Sequence, residues 1–149
     1  HNSSFVILVA GDGPEKNNIQ LSIINYQLQD KVRFLGWVPQ NEIMKYFVIA
    51  DIFLLPSEEE GFPHVLLEAM ASGVPFVAFD VGGVKEVTPP EFSEYIIAST
   101  DIKSFTGKIK EILRYDAERI EKMSEIGQNW VKQFDLSGVP DKFKDVLLN

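Results

Sequence analysis

Phe5–Ala10, Ile52–Leu55 and Pro75–Phe79 are each apolar at every position, and each is followed by a segment whose apolar residues recur at helical spacing. A strand with one face in water alternates apolar and polar residues, whereas one that is apolar at every position must be covered on both faces. Strands of that kind alternating with helices require crossover connections, and so predict a Rossmann-like α/β fold: a parallel sheet with helices on both faces. Ligands of such sheets bind beyond the carboxyl ends of the strands. The loops holding Gly13, Gly36, Glu60 and Gly82 all follow strands, so they are expected to gather on that edge.

Around these strands the pattern predicts a helix over Glu15–Gln29, with Ile19, Ile23, Ile24, Tyr26 and Leu28 on its apolar side. A short strand follows at Val32–Leu35, stopped by Gly36. A helix then starts at Pro39, carries Ile43, Met44, Phe47 and Val48, and ends near Ala50. Val65–Ser72 reads as a short helix with Gly73 after it in the capping position. Glu94–Ala98 reads as a weaker strand, and the tail from Asp101 as helical, broken near Asp116 and again at Ser137-Gly138. No internal repeat or low-complexity linker interrupts the pattern.

At 149 residues the chain is expected to form a single domain with a substantial core. A net charge of −8, with no basic run, disfavours nucleic acid and anionic lipid surfaces. Any bound phosphate must then be held by local dipoles or a few specific cations. The absence of cysteine excludes disulfides and thiolate metal sites, and two histidines, His1 and His64, are too few for a zinc site. No apolar run approaches the roughly 20 residues that span a bilayer. With no secretory signal in the sequence, a cytoplasmic protein is the expectation.

One segment concentrates the chemistry. Ser57-Glu58-Glu59-Glu60-Gly61-Phe62-Pro63-His64-Val65-Leu66-Leu67-Glu68 follows an apolar strand and runs into a helix, with Glu60 and Glu68 eight positions apart. Pro63 fits a first helical position, and the amides after it lack helical partners, which suits an anion at the helix N-terminus. Carboxylates beside it suit hydroxyl groups. Glu58 and Glu59 read as a solvated acidic loop, whereas Glu60 precedes a Gly that permits close backbone approach. Glu68 interrupts a helix that is otherwise nearly apolar all round, so a buried carboxylate needing hydrogen-bond partners is expected there.

Other candidates carry two readings each. Gly11-Asp12-Gly13-Pro14 is either a tight turn into a helix or also a ligand wall. His64 is either a donor to phosphate or a polar helix-start residue. Lys85, after Gly82-Gly83, is a phosphate partner or a surface lysine, and Trp37 a base-stacking ring or an exposed loop aromatic. No Asp-x-Asp pair occurs, which disfavours a metal-centred sugar transfer.

Taken together, Phe34-Leu35-Gly36-Trp37-Val38, Ala50-Asp51-Ile52-Phe53-Leu54-Leu55-Pro56-Ser57, Glu60 through Gly73 with Val74-Pro75, and Val81-Gly82-Gly83-Val84-Lys85-Glu86 closely resemble the retaining glycosyltransferases of group 1 (family 4). The similarity is strong over Val6–Val87. It implies the C-terminal, nucleotide-sugar-binding half of a two-domain GT-B enzyme. On that resemblance Glu60 would bind donor-sugar hydroxyls near the reacting carbon, acting as a positioning group rather than a nucleophile. Glu68 would hold the ribose, the amides of Phe62, His64, Val65 and Leu66 would meet the diphosphate, and Gly61 and Pro63 would belong to the same donor site. The backbone at Val38 and Gln40 would contact the base, with Gly11 and Gly13 lining the site. The donor is a nucleotide diphosphate sugar, and no metal or other cofactor is expected.

Pro63 stands where the family often has Gly, which removes one amide from that phosphate site. The family's domain also opens with a strand, a Gly-Arg turn and a Lys that this sequence lacks. That strand is expected at the centre of the sheet, between the strands at Phe5 and Ile52. Its absence predicts that those strands re-pair directly or that the sheet is completed by a second copy. The acceptor domain lies outside the chain as well, so the isolated chain is expected to be inactive. The rival reading is a non-catalytic Rossmann-like assembly or regulatory module. A phospho-acceptor receiver domain would require an Asp ending a central strand, where this chain has Leu55-Pro56-Ser57.

Overall fold

The computed structural model of this chain describes residues 5–134, in which strands alternate with helical segments as far as Ile97 and two helices follow. In order they are β1 (Ile7–Ala10), α1 (Lys16–Asn25), β2 (Val32–Gly36), α2 (Gln40–Phe47), β3 (Phe53–Leu55), α3 (His64–Ala71) and β4 (Phe76–Phe79). There follow α4 (Val84–Val87), a 3-10 helix over Pro90–Tyr95, β5 (Ile96–Ile97), α5 (Ile102–Ile112) and α6 (Ala117–Val131). The chain divides into two compact units, one running to Glu42 and the other starting at Ile43.

Every strand pairing is parallel, as expected, but β1, apolar at every position and so expected to be covered on both faces, is exposed at Ile7, Leu8 and Ala10. The strands form two sheets rather than the single one expected: β1 pairs with β2, and β4 lies between β3 and β5. The direct re-pairing of β1 with β3 proposed from the sequence is not among these pairings.

In the first unit β1 and β2 run in register from Ile7 opposite Val32 to Val9 opposite Phe34, with an irregularity before Ala10 meets Gly36. α1 ends at Asn25, four residues short of the expected Gln29. Gln27 takes a left-handed conformation (φ 55°), its amide bonds the Ile24 carbonyl, and the Leu28 amide reaches the Ile23 carbonyl. That is a Schellman ending, made with glutamine where glycine usually marks the stop. At its other end Pro14 and Glu15 form a turn, and the helix starts at Lys16, one residue after the expected Glu15.

The second unit is built around β4, whose four residues are all buried. α3 is buried at six of its eight positions, with Leu66, Leu67 and Met70 among the most enclosed side chains. α6 crosses α3 closely because Gly127 has no side chain: a Cβ there would stand 3.3 Å from that of Met70. The Gln128 side-chain amide donates to the Ala71 carbonyl at the same crossing, at 3.4 Å. Both long helices start on aspartates. Asp101 accepts from the Ser104 amide and Asp116 from the Arg119 amide, each at 2.9 Å.

Two further elements differ from the sequence reading. The strand expected over Glu94–Ala98 is confined to Ile96–Ile97, because Pro90–Tyr95 winds into a 3-10 helix. Its three-residue period puts Phe92 and Tyr95 on one side, where both rings meet Phe76 edge-on, with centroids 5.7 and 6.5 Å away. Val84–Val87, where the sequence reading placed no element, is one helical turn with both valines buried. The break expected at Ser137-Gly138 lies outside the described residues.

Candidate functional site

Glu60 and Gly61 lie in the loop that leaves β3 and enters α3. This loop is fixed from behind by the turn after β4, where Gly83 donates its amide to the Gly61 carbonyl at 3.0 Å. The approach is close enough that a Cβ on Gly82 would collide with the Glu60 carbonyl, and one on Gly83 with the Gly61 carbonyl. Gly82 is also left-handed (φ 47°), so a side chain there is disfavoured by backbone conformation and by space together. The two motifs, well separated in sequence, are thus one backbone junction. Glu58 and Glu59 are exposed, as read, while Glu60 is half-buried.

α3 runs over His64–Ala71, one residue ahead of the expected Val65–Ser72 at each end. Pro63 is its N-cap and is fully buried; His64 is the first helical residue and is exposed. The loop makes two local turns: His64 donates its amide to the Phe62 carbonyl at 2.9 Å, and Leu66 donates to the Pro63 carbonyl at 3.0 Å. Two of the amides assigned by resemblance to a diphosphate therefore have acceptors within the loop. The helix end still carries its dipole, with no acidic residue in the first turn to oppose an anion.

Glu68 is 5% exposed, on the second turn of α3. Its burial agrees with the reading of the apolar helix around it. The carboxylate does not need a ligand to supply its hydrogen-bond partners, because no buried side-chain oxygen or nitrogen among the described residues lacks one. Lys85 is exposed and paired with Asp80. That pairing fits the surface reading.

An aromatic cluster borders the loop. The Phe62 ring, 45% exposed, meets His64 edge-on with centroids 5.0 Å apart, and meets Phe134 at 6.2 Å. Phe134 in turn meets Trp130 at 6.2 Å, and the Trp130 indole N–H donates to the Val87 carbonyl at 2.9 Å. The sequence reading passed over both residues. Their signal was an aromatic pair four positions apart near the end of the helical tail.

Gly11, Gly13, Val38 and Gln40 belong to the first unit. The Gly11 amide donates to the Gly36 carbonyl at 2.7 Å, so the loops after β1 and β2 are joined much as those after β3 and β4 are. Asp12 accepts from the Gly13 amide and from the Lys16 ammonium, both at 3.0 Å. The Lys16 contact holds the Asp12 carboxyl below the usual carboxylate range. Gly11, Gly13 and Lys16 line a concavity of about 270 Å³ with Phe34 at its side. Trp37 is 75% exposed, and Gln40 opens α2.

These features fit a known family. The profile of the glycosyl transferases of group 1 matches residues 1–130, and the chain belongs to that family. Over 141 residues it is 33% identical to N-acetyl-alpha-D-glucosaminyl L-malate synthase of Bacillus anthracis, covering 94% of this chain and 36% of that protein. Over 149 residues it is 30% identical to UDP-Gal:alpha-D-GlcNAc-diphosphoundecaprenol alpha-1,3-galactosyltransferase of Escherichia coli, covering 97% of this chain and 37% of that protein. Its fold superimposes on HepE of Anabaena, solved in complex with UDP-glucose, with a TM-score of 0.78 at 21% identity, over 96% of this chain and 40% of that one. The chain therefore spans little more than a third of the length of these relatives. Among the described residues no helix is long and apolar enough to cross a membrane.

Proposed function

We propose that this chain is the nucleotide-sugar-binding half of a retaining GT-B glycosyltransferase whose acceptor site lies in a second domain. The observation that carries the reading is the junction of Glu60-Gly61 with Gly82-Gly83 in front of α3. It holds a carboxylate-bearing loop rigidly at a helix N-terminus, where a diphosphate and a polyhydroxylated sugar can be met together. Glu60 would receive donor-sugar hydroxyls and Glu68 the ribose, and the amides of Phe62 and Val65 would meet the diphosphate, with Gly61 in the same site. Val38, Gln40, Gly11 and Gly13 would serve the base and the wall of the site. A UDP-linked donor is the first to test, because the galactosyltransferase relative uses UDP-Gal by name.

The proposal includes no metal: the chain has no Asp-x-Asp pair to hold one, and the leaving diphosphate would be met by helix-end dipoles and by cations of the intact protein. It also includes a cytoplasmic location, in keeping with a sequence free of cysteine. Self-association of the isolated chain through β1 or β3 belongs to it too, since each of those strands pairs on one side only among the described residues. Titration calorimetry of UDP-sugars against the intact protein tests the reading; saturable binding supports it.

A specific observation favours the rival, a non-catalytic module. The His64 and Leu66 amides are already engaged within the loop, and Glu68 already has a partner. An intact protein that binds no nucleotide sugar would establish it.

A further inference from the structure

The loop that carries Glu60 is held on two sides. On one side the Gly83 amide bonds the Gly61 carbonyl, and Gly83 leads directly into α4. At the far end of α4 the Val87 carbonyl accepts from the Trp130 indole. Trp130 stacks edge-on with Phe134, and Phe134 with Phe62, the residue following Gly61. These contacts close a ring: Gly61, Gly83, Val87, Trp130, Phe134 and Phe62. Its links differ in kind. The two hydrogen bonds fix direction, and the two ring contacts, at 62° and 61° between planes, fix the lateral position of Phe62.

We infer that Trp130, in the last turn of α6, and Phe134, three residues beyond that helix, are positioning residues for the Gly61–His64 loop. They set where the loop sits and make no contact with ligand themselves. The role in binding rests on the donor site proposed above; the mechanical role does not. Phe62 is half in solvent and lies in a loop that takes no ladder bonds, so its ring needs an external wall to have one position. Phe134 supplies that wall. The Trp130 N–H ties it to the same short helix that Gly83 begins, so a shift of the α6 end moves both supports of the loop together.

The test compares Phe134→Ala with Phe134→Tyr in the intact protein, by amide hydrogen exchange and by UDP titration. In Phe134→Ala the Gly83 amide should exchange about tenfold faster or more, while the Phe105 amide at the start of α5 keeps its wild-type rate. Phe134→Tyr, which retains the ring, should restore Gly83 protection. An unchanged Gly83 rate in Phe134→Ala, or an equal rise at Phe105, overturns the inference whatever the ligand results are. Where wild type binds UDP, the alanine variant should bind it about tenfold more weakly and the tyrosine variant normally; equal affinity in all three overturns the role in binding. A wild-type protein that does not bind UDP counts against a UDP-linked donor and removes the role in binding it, leaving the exchange result to decide the clamp.

Discussion

The Gly83 amide donates to the Gly61 carbonyl at 3.0 Å, and this one bond joins the two loops that leave β3 and β4. It converts a sequence pattern, an acidic loop and a glycine pair well downstream of it, into a single edge at the carboxyl ends of two adjacent parallel strands. The glycines are required there by space: backbone meets backbone where a side chain would otherwise stand.

The tightest point of that edge is Gly82. Substitution Gly82→Ala should destabilise the protein by about 1–3 kcal/mol, since it combines a left-handed conformation with a collision at the Glu60 carbonyl. Urea unfolding measures this. Gly107→Ala is the contrasting case, because its Cβ would meet open space within α5. It should stabilise by about 0.5–1 kcal/mol.

The crossing of α6 over α3 sets a second limit. A leucine at Gly127 must displace the Met70 side chain and backbone from an interior that has no room to spare, and should cost about 1–3 kcal/mol. A fall in thermal midpoint reports it. The crossing also explains how α6 reaches the loop of the candidate site, since its last turn carries Trp130.

Acid stability should depend on Glu111. Its carboxylate is bonded by the Lys108 ammonium at 2.8 Å and by the Tyr115 hydroxyl at 2.6 Å, and these hold it below its ordinary value of 4.5. A carboxyl with a lowered folded value contributes stability above its unfolded value, and that stability is lost as pH falls through the folded one. Glu111→Gln should therefore lose less thermal stability than wild type between about pH 6 and about pH 3. The effect is small, because the side chain is partly exposed and screened.

Much of this was legible beforehand. Consecutive apolar residues in the strands at Phe53 and Phe76 announced parallel pairing, and Glu68 amid Leu66, Leu67, Ala69 and Met70 announced a buried carboxylate. What was hidden depended on contacts between distant residues. The junction of Gly61 with Gly83 has no local signal, since either glycine alone reads as a turn. The end of α1 was missed because Gln27 takes a position that glycine usually marks. The Pro90–Tyr95 3-10 helix was missed because burial of Phe92 and Tyr95 against Phe76 decided it, not local propensity. The division into two sheets was likewise not readable, as strand order is not written in any single segment.

Glu68 offers the most direct trial of the central claim, that this chain holds a nucleotide-sugar donor. A panel of nucleotide diphosphate sugars titrated against the intact protein should give saturable binding of at least one member. Replacing Glu68 with glutamine, which keeps its volume within α3, should weaken that binding about tenfold or more if its carboxylate receives ribose hydroxyls. Saturable binding that falls in Glu68→Gln, with the fold intact by circular dichroism, is the predicted result. No binding by the intact wild-type protein, or binding that the substitution leaves unchanged, would contradict the account.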